Sequence, residues 1–149
     1  VFRRLGQAVV GGCAVVTFVD NIGHPATVVG SSMYPTLHGA CPSERDFVWI
    51  SRINSFNPQL GSIVTFILLF SSPRNPREVL IKRVTGLEHN MVRRKPTGEP
   101  FIVPEGQCWL ESDNEINAND SNQFGPVSYG LLQGRATHVI WPPSRWSSL

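Results

Sequence analysis

Glycine and proline interrupt this chain so often that no apolar run beyond residue 30 extends past eight residues, the longest being Ile63–Phe70. Thirteen Gly and twelve Pro in 149 residues leave little room for long helices. Short runs rich in β-branched and aromatic residues fit strands instead: Phe47–Ile50, Ile63–Phe70, Glu78–Val84, Phe101–Val103, Cys108–Leu110 and Gly134–Trp141. Breakers fall between them at Asn57-Pro58, Ser72-Pro73, Asn75-Pro76, Pro96-Thr97-Gly98 and Pro104-Glu105-Gly106. No segment after residue 30 carries a helical period, and no internal repeat stands out. The pattern predicts a mainly β domain, barrel-like or sandwich-like. A hydrophobic fraction of 41% is enough for one packed core.

The amino-terminal stretch is of another kind. Leu5–Val19 is apolar and uncharged, with Arg3 and Arg4 before it and Asp20 after it. Fifteen residues fall short of the roughly 20 that cross a bilayer core, although Phe2 lengthens the run. A secretory signal peptide shares this layout, but no small-x-small cleavage site precedes a clear mature start. The expectation is one uncleaved membrane-anchoring helix. Residues 1–27 would form the anchor and a short connector, and 28–149 the β-rich domain. Arg3 and Arg4 would stay on the side where insertion starts, with everything after Asp20 exported.

A formal net charge of +2 and the absence of long basic runs beyond Arg93-Arg94-Lys95 argue against nucleic-acid binding. Cys13, Cys41 and Cys108 match no metal spacing and build no disulfide framework, and the pairing of Cys41 with Cys108 is left open. The Asp113–Ser121 segment resembles a calcium loop but has Ala118 where the sharp turn needs Gly and Phe124 where Glu should close the site. His24, His38, His89 and His138 fall in no metal-ligand spacing, so neither metal nor cofactor is expected.

Three segments can carry chemistry. In Gly30-Ser31-Ser32-Met33-Tyr34-Pro35, Gly30 permits close approach of a substrate backbone and Pro35 stiffens the exit, so a hydroxyl can project from the turn. Taken alone, such a turn is more often structural. In the strand Glu78–Val84, alternation places Leu80, Lys82 and Val84 on one face. An ammonium among apolar neighbours is desolvated and pushed toward the range of a general base, whereas Arg83 cannot give up its proton. The third segment, Asp113 to Ser121, reads as a polar loop with Asx turns. A triad of Ser32, His138 and Asp113 is formally possible, but His138 lies in an alternating strand and nothing singles it out.

The ordered set is more specific than its parts. Ser32-Met33-Tyr34-Pro35-Thr36-Leu37, then Ile81-Lys82-Arg83-Val84 with Gly86-Leu87, then Asp113-Asn114 with Asp120-Ser121, resembles the type I signal peptidase family over nearly the whole chain. Ser72–Pro76, Asp120–Val127 and the ending Ala136–Trp146 resemble the mitochondrial inner-membrane branch of that family. The resemblance implies a signal-peptidase-like β domain and a Ser-Lys dyad, with Ser32 as nucleophile, Lys82 as general base and the Ser32 backbone N–H in the oxyanion hole. It implies Asp113 and Asp120 as structural support of the site. It implies three kinds of partner: precursor proteins bearing sorting peptides, a related protease subunit (subunit 1) in a heteromeric complex, and the lipid bilayer. The implied location is the mitochondrial inner membrane, with the catalytic domain in the intermembrane space. Departures from the family pattern are Gly30 where some relatives carry a serine hydroxyl, Ser112 for Gly, Glu115 for Arg, Ala118 for a lysine-orienting serine, and His89-Asn90 and Gly61-Ser62 for Gly-Asp pairs.

Overall fold

A computed structural model describes residues 22–149 except Ala40, Asn54, Pro73, Arg74 and Ala118. The proposed anchor Leu5–Val19 lies outside the described residues, as does Ala118. Among the described residues no helix is long and apolar enough to cross a membrane.

Among the described residues ten strands follow one another: β1 Gly23–Thr27, β2 Phe47–Ser51, β3 Ile63–Ser72, β4 Asn75–Gly86, β5 Met91–Arg93, β6 Pro100–Ile102, β7 Gln107–Glu111, β8 Val127–Ser128, β9 Leu132–Trp141 and β10 Ser147–Ser148. An α-helix of one turn, Ser121–Phe124, and four 3-10 turns complete the described residues. All six expected strands are present, with ends shifted by a few residues. Strand β1 was not anticipated, and the sheet therefore begins at Gly23, inside the stretch read as anchor and connector. Its alternation, Gly-His-Pro-Ala-Thr, has too little apolar content to mark it as a strand. It exists because it pairs along its whole length with β2.

The main sheet runs β1-β2-β9-β3-β4-β7-β8, with β10 against β9, and every pairing is antiparallel. The long β3–β4 hairpin sets its axis, and in its register Val64 lies opposite Lys82 and Thr65 opposite Ile81. Strands β5 and β6 form a separate hairpin.

Alternation along β3 divides the interior in two. Ile63 joins Val28, Met33, Leu37, Val48, Ile50, Ala136 and Val139. Val64 and Phe66 face the other way, into Val84, Cys108, Leu110, Val127 and Leu132. Both faces of β3 are thus covered, which explains why its sequence is a continuous apolar run rather than an alternating one. Ile63, Val64 and Phe66 are core, and among the described side chains of this strand Thr65 is the one that lines the groove described below. Gly134 lets β9 pass β2 closely, since a Cβ there would lie 2.5 Å from Ile50 Cγ2 and 2.8 Å from the Ser51 carbonyl oxygen. Cys41 and Cys108 do not pair: the first is exposed, the second sits in the core.

Candidate active site

The turn that carries Ser32 is held by its own apolar residues. Met33 and Leu37, four apart, occupy the same side of the turn and sink into the first cluster. The Leu37 N–H donates to the Met33 carbonyl at 2.8 Å and that of Tyr34 to the Ser31 carbonyl at 3.1 Å. With those side chains inward, Ser32 is left half-buried at the wall of an open groove of about 320 Å³. Gly30 takes φ 91°, a left-handed conformation that releases the chain from β1 into this turn.

Lys82 reaches the same groove from β4. Its relative exposure is 2%, and Val84 on the same face is fully buried. On the opposite face Val79 is exposed, whereas Ile81 packs on the first cluster and Arg83 is engaged by neighbours. Val28, Val48, Ile50, Thr65, Leu80 and Ile81 supply most of the remaining wall. The groove is therefore apolar, with one hydroxyl-bearing turn and one buried amine-bearing strand on its boundary. His138 is exposed on β9 and lines no part of it.

The acidic loop backs onto the serine turn. Asn114 donates its backbone N–H to the Ser32 carbonyl at 2.9 Å and its side-chain Nδ2 to the Ser31 carbonyl at 3.0 Å. Asp113 is bound side-on by Arg83, with Nε to Oδ1 at 2.8 Å and Nη2 to Oδ2 at 2.7 Å. Burial pushes the Asp113 carboxyl upward, but bonds from Arg83 and Thr36 and the charges of Arg83 and Lys82 outweigh it and hold the group below its ordinary value. Asp120, buried, caps the short helix by accepting from Asn122 N at 3.0 Å. Its other oxygen accepts from Ser112 N at 3.1 Å, tying the two ends of the loop.

Arg145 and Asp46 were not singled out by sequence reasoning. Arg145, in the 3-10 turn after β9, binds the wholly buried Asp46 with Nε at 2.9 Å and Nη2 at 3.0 Å. The same Nη2 donates to the Thr36 carbonyl at 3.1 Å. Arg145 lies in the Trp-Pro-Pro-Ser-Arg-Trp ending that carries part of the family resemblance, but nothing local in that ending marks the carboxylate and carbonyl it binds. Glu115, which departs from the family pattern, pairs with Lys95 at 2.6 Å on the surface. His89, where the family often has Gly, adopts φ 64°.

Comparison with known proteins settles the class. The model of the family described as "Signal peptidase, peptidase S26" matches residues 2–98. The Danio rerio protein named mitochondrial inner membrane protease subunit 2 is 39% identical over 99% of this chain and 82% of its own. The chain belongs to the signal peptidase family. The protein is therefore a serine peptidase of signal-peptidase type. The mouse protein named mitochondrial inner membrane protease subunit 2 is 42% identical to it over 90% of the peptidase and 76% of that chain. Mouse mitochondrial inner membrane protease subunit 1 is 32% identical over 99% and 87%. Among solved structures, a signal peptidase I from Enterococcus faecalis has 24% identity and a TM-score of 0.41, covering 54% of the peptidase and 97% of that chain.

Proposed function

We propose that the peptidase removes sorting peptides from precursor proteins delivered to the mitochondrial intermembrane space, using Ser32 as nucleophile and Lys82 as general base. The observation that carries this reading is that Ser32 and Lys82, fifty residues apart on separate elements, border one apolar groove with Lys82 almost wholly buried. Burial disfavours an ammonium, which is the condition a lysine base requires near neutral pH. Identity of 32–42% to relatives named mitochondrial inner membrane protease supports the mitochondrial assignment, and the higher identity to those named subunit 2 favours that branch.

In the proposed cycle the neutral Lys82 Nζ takes the proton of Ser32 Oγ as the oxygen attacks the scissile carbonyl. The Ser32 backbone N–H helps to stabilise the oxyanion. On collapse, the carbon–nitrogen bond breaks and Lys82 Nζ returns the proton to the leaving amine, leaving an ester on Ser32. Water then attacks that ester as Lys82 Nζ takes its proton. The ester carbon–oxygen bond breaks, the second product leaves as a carboxylic acid, and Lys82 Nζ passes the proton to Ser32 Oγ, restoring both groups. Asp113 and Asp120 carry no proton in this scheme. Asp113 holds Arg83 beside Lys82, and Asp120 shapes the loop that presents Asn114 to the serine turn.

The same reading has the domain tethered to the inner membrane by the Leu5–Val19 segment and working with a related subunit 1. Ile53, Phe56 and Leu60 are exposed on the loop after β2, next to the point where Arg52 N–H donates to the Ile22 carbonyl. That apolar loop therefore lies beside Ile22, three residues after the proposed anchor in sequence, and suits a bilayer surface. The decisive experiment expresses wild type, Ser32→Ala and Lys82→Met with the partner subunit and follows conversion of precursor to mature protein. Both variants are expected to lose processing, and unimpaired conversion by either would sink the dyad. In mitochondria with ruptured outer membranes, the β domain should become accessible to added protease, and its protection would contradict the intermembrane-space placement.

A further inference from the structure

Thr36 lies on the serine turn, four residues beyond Ser32, and its hydroxyl and its carbonyl are both gripped. Its hydroxyl accepts from Arg83 Nη2 at 3.3 Å and donates to the Asp113 carboxylate. Its carbonyl accepts from Arg145 Nη2 at 3.1 Å. The two guanidiniums come from elements far apart in sequence, Arg83 from β4 directly after Lys82 and Arg145 from the turn that follows β9. Each is itself fixed by a carboxylate that it binds through two nitrogens, Asp113 in one case and Asp46 in the other. Asp46 also accepts from the His38 N–H at 2.8 Å, so the chain is pinned again two residues further on.

Apolar contacts at Met33 and Leu37 set how deeply the turn sits, but such contacts have no direction and tolerate sliding. Hydrogen bonds to planar guanidiniums are directional and fix where the turn lies along β4. We infer that Thr36 is a positioning residue that sets the distance between Ser32 and Lys82, with Arg83 and Arg145 as its two clamps. The inference rests on the Ser32–Lys82 reading. Thr36 does not line the groove, so it acts through the placement of Ser32 and not on the substrate.

The test uses the full chain with the partner subunit it requires and a peptide spanning the cut of a precursor that wild type converts. Thr36→Val keeps the shape and removes the hydroxyl, whereas Thr36→Ser keeps the hydroxyl and removes only the methyl. Activity is measured well below the unfolding midpoint of each variant, so that the folded fractions are equal. Misplacement of a reacting group by about 1 Å costs on the order of a hundredfold. Thr36→Val is therefore expected to lose at least about tenfold in kcat with KM within about twofold, and Thr36→Ser to stay within about threefold of wild type. Wild-type kcat in Thr36→Val, or an equal loss in both variants, would overturn the inference. Ser32→Ala in the same assay separates the two ideas: residual cleavage there defeats the dyad itself. An inert Ser32→Ala beside a fully active Thr36→Val defeats only the role of Thr36.

Discussion

Arg83 and Asp113 meet fork to fork, two nitrogens on two oxygens at 2.8 and 2.7 Å, joining the strand of Lys82 to the loop that supports Ser32. Pairs of this geometry are stronger than single contacts and specify orientation as well as distance. The Asp113 carboxyl titrates lower in the folded protein than in the unfolded chain. Its stabilisation is thus fully present above the unfolded value of about 4 and is lost as pH falls through the lower folded value. Asp113→Asn should lower stability by about 1–3 kcal/mol at pH 7, and the gap to wild type should narrow below pH ~4. Urea unfolding of both proteins across that range measures it, and a gap independent of pH would contradict the assignment.

The Arg145–Asp46 pair predicts a different response. Asp46 is completely buried while the Arg145 side chain keeps 31% of its exposure, so removal of the arginine leaves a buried carboxylate with the His38 N–H but no cation. Breaking a buried pair from one side costs about 3–5 kcal/mol, and the partial exposure of Arg145 brings the expectation for Arg145→Ala to about 2–3 kcal/mol. Adding Asp46→Asn should recover part of that loss, giving a coupling of at least about 0.5 kcal/mol in a double-mutant cycle. Additive losses would show that the two groups stabilise the fold independently.

Backbone conformation makes a pair of opposite predictions. Gly30 has φ 91°, and a Cβ built there meets nothing within 4 Å, so any cost of a side chain is conformational and not steric. Gly30→Ala and Gly30→Ser should each destabilise by about 1–2 kcal/mol, with little difference between them. At φ 64°, His89 carries a strain that glycine lacks, so His89→Gly should gain about 0.5–1 kcal/mol. Equilibrium unfolding of the three variants checks both signs.

The legible part of this protein was its alternation and its order of motifs. Breakers and β-branched runs located six strands, because each such run is long enough to bury a face and is bounded by residues that cannot continue it. Strand β1 escaped because its evidence is the partner it pairs with, and Gly-His-Pro-Ala-Thr has no pattern of its own. Local chemistry marked Lys82 as a strand lysine among apolar residues, and it is buried there. Nothing local could link Thr36, Arg83 and Arg145, which are brought together across 109 residues of chain by the pairing of β9 between β2 and β3. Arg145 itself was visible only as one letter in an ending that resembles a family branch. Side chains whose work is to hold backbone carbonyls leave no periodic trace in sequence.

The cysteines supply a last contrast. Burial pushes the Cys108 thiol up to about 12, so at pH 8 it stays protonated and is shielded by the core around it. Cys41 is exposed, its sulfur 3.3 Å from the Ser43 hydroxyl. The thiolate is the reactive species, so accessible Cys41 should be alkylated by iodoacetamide while Cys108 is spared until the domain unfolds. Peptide mass spectrometry after a short pulse at pH 8 reads both sites at once. Equal labelling of the two in the folded protein would mean that the core around Cys108 opens on the timescale of the pulse, against the packing of Cys108 among Phe66, Val84 and Leu110.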